Sequence, residues 1–372
     1  FWVINEALSV YFYEYDSNGI INGLTGLYII YAIIKYNIRI MENNIFIVIF
    51  LLICAVNTPF SENYLSFGNR FLNLFNINMV LPVASLALSD KNNLDKLNYI
   101  CWIALIIMLM YIVVSSVFKL GPNMYGTDIV YGLQWGQFYG LGLISSLLIL
   151  NKPAFKIDTK YKTVALIMII LIILTLRRTA IIIILAIFVM YGVINIKKTI
   201  LRMISMLIIG VIVFVGMIGS LRIIDLRSDL MAPGYSVRDE GRYYDIVGVY
   251  NLMKYRNIIW MGDELFNDYG QYGAKRDTRP IHSDIMRLLW GIGFIGIIPL
   301  CCAFVVVCKK IILQKMSMQE KGMCISLCFV FFITLFAGGT FYISYSGILF
   351  IYLGAMLSHK NLKDYNFAIR SN

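Results

Sequence analysis

Histidine is nearly absent from this chain: only His282 and His359 occur in 372 residues. Charge is scarce as well, at 14% of residues. The seven cysteines (Cys54, Cys101, Cys301, Cys302, Cys308, Cys324 and Cys328) all lie in apolar stretches and form no CxxC…CxxC pattern. Cys324 and Cys328 are simply one helical turn apart. These shortages argue against a disulfide framework or a zinc site, and the thiols read as small buried apolar side chains. With no second His or Cys beside His282 and no Asp-x-Asp pattern for a divalent ion, no metal and no cofactor are expected. No cleavable signal peptide is evident. Phe1–Val10 is largely apolar and reads as the tail of a helix.

What the chain has in abundance is apolar surface. It is 59% hydrophobic, with mean hydropathy +0.75. No soluble domain of this length hides that much, so repeated apolar stretches of about 20 residues read as membrane-spanning helices. Eleven spans are expected, over 19–38, 44–57, 72–89, 98–118, 130–150, 162–176, 179–195, 201–220, 284–308, 322–338 and 341–358. If Phe1–Val10 ends a further helix, the total is twelve. The expected fold class is all-α, a polytopic integral membrane protein of about 11–12 transmembrane helices with one large outer loop.

The net charge of +11 does not point to nucleic acid, because the basic residues line alternate loops. Lys35 and Arg39, Lys91 and Lys96, Lys152 to Lys162, Lys197 to Arg202, Lys309 to Lys321 and Lys360 to Arg370 fall on one side. The opposite short loops hold only Arg70, Lys119 and the pair Arg177–Arg178. The positive-inside rule makes the first side cytoplasmic. Three regions follow: residues 1–220 are membrane helices, 221–283 a large outer loop, and 284–372 the last membrane helices with a cytoplasmic tail. Between Arg222 and Arg287 there are ten basic and ten acidic residues, with tyrosines such as Tyr243, Tyr244, Tyr250 and Tyr255 beside Trp260. Balanced charge with aromatics is not the composition of a disordered linker. It suits either a sugar site or an interfacial aromatic belt.

Arg177 and Arg178 stand in a two-residue break between the apolar runs 166–176 and 180–190. Two cations on the side where the rule disfavours them suggest an anionic ligand, and a phosphate is the obvious one. In the outer loop, 243–254 reads as a short helix, with Ser236–Asp239 as a capping box and Gly241 as a bend. Arg242 then sits in its first turn, where an oxyanion or phosphate binds well. His282, in Arg279-Pro-Ile-His-Ser-Asp284, ends the outer loop. A lone histidine there is either a helix-cap residue or a functional one. His359, beside Lys360, reads as a solvated flank.

Four motifs in order resemble the O-antigen ligase and O-antigen polymerase superfamily. His282-Ser283, nine residues, Gly293, two residues and Gly296 look like its H-[NSQ]-x9-G-x-x-G signature. Thr175 to Ala180 is similar to its T-x-S-R-x-A segment, with Arg178 on the family's arginine and Arg177 replacing a small polar residue. Glu240-Gly241-Arg242 resembles its S-G-R. Ile259 to Gly262 resembles its P-x-x-G-x-G, without the second glycine.

The resemblance covers 160–310 by motif and implies a GT-C-like membrane glycosyltransferase that uses neither nucleotide sugar nor divalent metal. Donor and acceptor would be sugars on undecaprenyl diphosphate, in a bacterial inner membrane with the site on the periplasmic face. Membrane lipids and a chain-length regulator protein are the further partners.

In that reading Arg178 and Arg242 hold the leaving diphosphate, with Arg177 and Arg279 as further contacts. His282 accepts the proton of the attacking hydroxyl or hydrogen-bonds a phosphate oxygen. Asp239, Glu240, Asp263, Glu264 and Asp284 are alternative bases, though ion pairs with loop arginines suit most of them. Polymerase is preferred to ligase because the chain is rich in Asn, Ile, Lys and Tyr, as strain-specific polysaccharide genes are. A lipid-linked oligosaccharide flippase is the remaining alternative. A transporter would place charges near the midplane of its spans, however, and these spans are almost charge-free.

Overall fold

The computed structural model describes residues 17–38, 40–58, 64–88, 91–120, 131, 135–150, 159–175, 178–196, 247–266, 281, 283–314 and 316–358. The side chains of 17, 18, 40–43, 64–67, 91–94, 135, 136, 159, 178 and 343 lie outside that description. Among the described residues there are eleven helices and no strand. They are α1 (Ser17–Lys35), α2 (Ile40–Val56), α3 (Tyr64–Ala87), α4 (Lys91–Val117), α5 (Trp135–Leu150), α6 (Thr159–Leu174), α7 (Arg178–Ile194), α8 (Val249–Arg256), α9 (Asp284–Leu313), α10 (Met318–Ala337) and α11 (Ile343–Ser358). The chain is an all-α, polytopic membrane protein.

Ten of the helices fall where spans are expected; the span 201–220, like Phe1–Val10, lies outside the described residues. Four stretches are long and apolar enough to cross a membrane on their own: Gly68–Ala87, Asp95–Val117, Asp284–Leu313 and Met318–Ala337. Most of the others are apolar but shorter, and they are held by packing. Helix α11 lies chiefly on α3, α10 on α7, and α9 on α2. The α3–α11 approach is close because of Gly354: a Cβ there would lie 2.6 Å from the Leu81 carbonyl oxygen and 2.9 Å from the Ala84 methyl. Small residues at such crossings let backbones touch where lipid provides no hydrophobic driving force.

The helix ends sort into two faces, as the alternation of charge requires. On one face the Asn22 amide donates to Asn69 Oδ1 at 2.8 Å, joining the starts of α1 and α3. Arg70 donates to the Phe266 carbonyl at 3.2 Å, and the Leu265 N–H to the Asn57 carbonyl at 2.8 Å. On the other face the Gln314 amide donates to the Leu357 carbonyl, and Gly322 packs on Ile194 and Asn195. Among the described residues, Lys35, Lys309, Lys310 and Lys321 lie at helix ends of this second face. Reporter fusions after Ser228 and after Lys363 should therefore give opposite locations, the first external. Two fusions on the same side would overturn the topology.

Candidate functional site

The first face gathers around a break in α9. Gly293 has φ 59° and ψ −169°, a conformation that L side chains rarely adopt, and the helix is interrupted there. An interruption frees backbone groups, which inside a membrane protein must be paired internally. The loop after α8 pairs them. The Phe294 N–H donates to the Ile259 carbonyl at 3.0 Å and the Ile295 N–H to the Trp260 carbonyl at 3.1 Å. The Trp290 carbonyl accepts from the Asp263 N–H at 2.8 Å.

Two motifs far apart in sequence thus form one joint. Gly262, at φ 74°, lies so close that a Cβ would stand 2.5 Å from the Gly291 carbonyl carbon, and a Cβ on Gly293 would strike the Trp260 carbonyl. Gly293→Ala should accordingly lower the melting temperature of the purified protein by several degrees. The positive-φ strain alone costs about 1–3 kcal/mol, and the contact with Trp260 adds to it. Gly23→Ala, where nothing lies within 4 Å, should leave it unchanged. Equal melting temperatures for the two variants would mean that the joint is not needed.

Helix α8 seats the outer loop on the first turns of α9. Its Val249 and Met253 are buried with Ile281, Met286, Leu289 and Trp290 in a small core. It ends two residues later than expected, where Asn257 takes the left-handed conformation at φ 59°. Arg256 sits over the Trp290 ring at 5.6 Å and pairs with Asp263 at 3.4 Å. Both charged groups are well exposed, so the pair contributes little. It does engage one of the alternative bases.

Asp284 is engaged far more completely. Only 3% exposed, its Oδ2 accepts from the N–H groups of Gly339 and Thr340 and from the Thr340 hydroxyl, all at 2.6 Å. Those residues form the turn between α10 and α11. Arg287 lies 3.7 Å from the other carboxylate oxygen and donates to the Ile281 carbonyl at 2.7 Å. The guanidinium also lies over the Phe341 ring at 5.6 Å.

Of the expected site residues, Arg177, Arg242, Arg279 and His282 lie outside the described residues, as do Ser236–Asp239, Glu240, Gly241 and His359. Arg178 is described in its backbone alone. It is the first residue of α7, where the sequence placed it in a break between spans. At the end of α6 the Thr175 hydroxyl donates to the Ile172 carbonyl at 2.6 Å, and its N–H bonds the carbonyls of Leu171 and Ile172. Ile281 and Ser283, the neighbours of His282, are both buried.

Sequence reasoning did not single out Asn57, Arg70, Arg287, Thr340 or Phe341. Only Asp284 and Arg287 carried a signal, as an i, i+3 pair of opposite charge in a first helical turn. No curated protein and no solved structure matches the chain. A family model described as O-antigen ligase matches residues 163–301, from α6 into α9, the segment that also holds the four motifs resembling that superfamily.

Proposed function

We propose that the protein is a surface-polysaccharide polymerase, transferring a glycan from undecaprenyl diphosphate to a sugar hydroxyl of another lipid-linked repeat unit. The observation that supports glycan transfer, though not the choice of acceptor, is the extent of the family match: residues 163–301 hold Arg177, Arg178, Arg242, Arg279 and His282 together. The joint between the Trp260–Gly262 loop and the Gly291–Gly293 break supports it, since it ties the segment after α8 to the helix that follows His282.

The site would lie on the outer face of a bacterial cytoplasmic membrane. Arg178 and Arg242 hold the diphosphate and stabilise the charge that grows on it as the glycosidic bond breaks. Arg178 does so from a helix N-terminus, whose dipole has the same sign of attraction for an anion. His282 takes the proton from the attacking hydroxyl. Asp284 is not a second base in this scheme, since its Oδ2 already accepts three hydrogen bonds.

The acceptor is assigned from composition, the chain being rich in the residues of strain-specific polysaccharide genes. The family description favours a second reading, a ligase that moves finished glycan onto lipid A-core. Deleting the gene separates them. Loss of the polymerase leaves single repeat units on lipid A-core. Full-length polymer stranded on the carrier lipid would sink the polymerase reading and establish the ligase.

A further inference from the structure

We propose that Asp284 and Arg287 are positioning residues for His282, fixing the chain on both sides of that histidine from the turn between α10 and α11. This rests on the reading of His282 as the proton acceptor. Arg287 reaches back six residues to the Ile281 carbonyl at 2.7 Å and lies 3.7 Å from Asp284 Oδ1. One guanidinium thereby holds the residue before His282 and the carboxylate after it. Asp284 Oδ2 in turn is fixed by three donors from Gly339 and Thr340, and Phe341 of the same turn lies against the guanidinium.

An ordinary helix start would not need this arrangement. Ser283 is the N-cap of α9 but makes no side-chain cap hydrogen bond, and Asp284 Oδ2 is turned across the fold while Oδ1 faces Arg287 of its own helix. A buried ion pair contributes little net stability compared with apolar residues of the same size. What it does supply is fixed geometry, because each partner has few alternatives once water is gone. Ile281 is fully buried, and Ser283 and Asp284 are 5% and 3% exposed, so the anchors on both sides of residue 282 are of this kind. A general base must stand within hydrogen-bond reach of the proton it takes, and a displacement of about 1 Å can cost on the order of a hundredfold in rate.

The two-histidine composition allows a direct test on the full-length protein in lipid nanodiscs. Diethyl pyrocarbonate modifies accessible imidazoles, and peptide mass spectrometry reads His282 and His359 separately, the second as internal reference. Asp284→Asn keeps the size of the side chain but loses the charge that holds Arg287. It should raise the modification rate of His282 relative to His359 by about threefold or more, as a locally released segment becomes accessible. It should also lower kcat by roughly tenfold to a hundredfold, with the KM for lipid-linked donor within about twofold.

Arg287→Lys retains the charge but not the fork that serves two acceptors, and should shift the same ratio in the same direction. An unchanged ratio in Asp284→Asn, or in Arg287→Lys should the first variant not fold, overturns the inference. Full turnover in His282→Ala would sink the catalytic reading instead, and the modification ratio would still decide whether this pair positions the histidine.

Discussion

Arg178→Ala should reduce glycan transfer by on the order of a hundredfold or more while the protein still inserts and folds. A large loss is expected because, in the proposed reaction, the leaving group would be a diphosphate released beside lipid. Neutralising cations there act in a medium far less polarisable than water. The backbone of Arg178 is fixed as the first residue of α7. Ala180, Ile183 and Ile187, the next residues facing inward along that helix, are fully buried, and α7 packs along α10 and α5.

Arg178→Lys should recover only part of the activity, since lysine keeps the charge but grips phosphate at one point. Arg242→Ala should match Arg178→Ala, and Arg177→Ala should be milder. Turnover and lipid-donor binding measured on purified variants decide this. An essential Arg177 beside a dispensable Arg178 would mean that the alignment of this segment with the family motif is one residue out.

Hydropathy located the spans because burial in lipid demands a continuous apolar run, a strong local signal. It misplaced their ends where tertiary partners extend a helix beyond that run. Helix α3 starts at Tyr64 rather than 72. Its first turns carry Asn69 and Arg70, whose polarity is offset by bonds to Asn22 and to the Phe266 carbonyl. The glycine signature was legible as a motif. Its partner was not. Nothing periodic in the sequence says that Gly293 meets Trp260, because that joint consists of single backbone hydrogen bonds between segments with no repeat in common. Asp284 illustrates the same limit. By residue type it was a fair alternative base; only its contacts with a turn some 55 residues away remove it from that role. Arg242 and His282 remain assignments of sequence and family, resting on motif order within 163–301.

His282→Gln should lower turnover by on the order of a hundredfold or more, in the usual range for loss of a general base, while donor lipid still binds. Glutamine keeps a hydrogen-bonding group near the ring's position but cannot take the proton. In the unaltered protein, activity should fall on acidification, because a protonated ring cannot act as acceptor. That acid limb should vanish from the residual activity of the Gln variant. A diphosphate-binding histidine behaves in the opposite way: protonation strengthens its attraction for phosphate, so the substitution weakens donor binding and leaves the pH profile of the bound complex flat. Donor affinity and the pH dependence of kcat, measured on the same preparations, separate these cases. A fully active His282→Ala variant would reject both roles and return the residue to a simple cap at the entrance of α9.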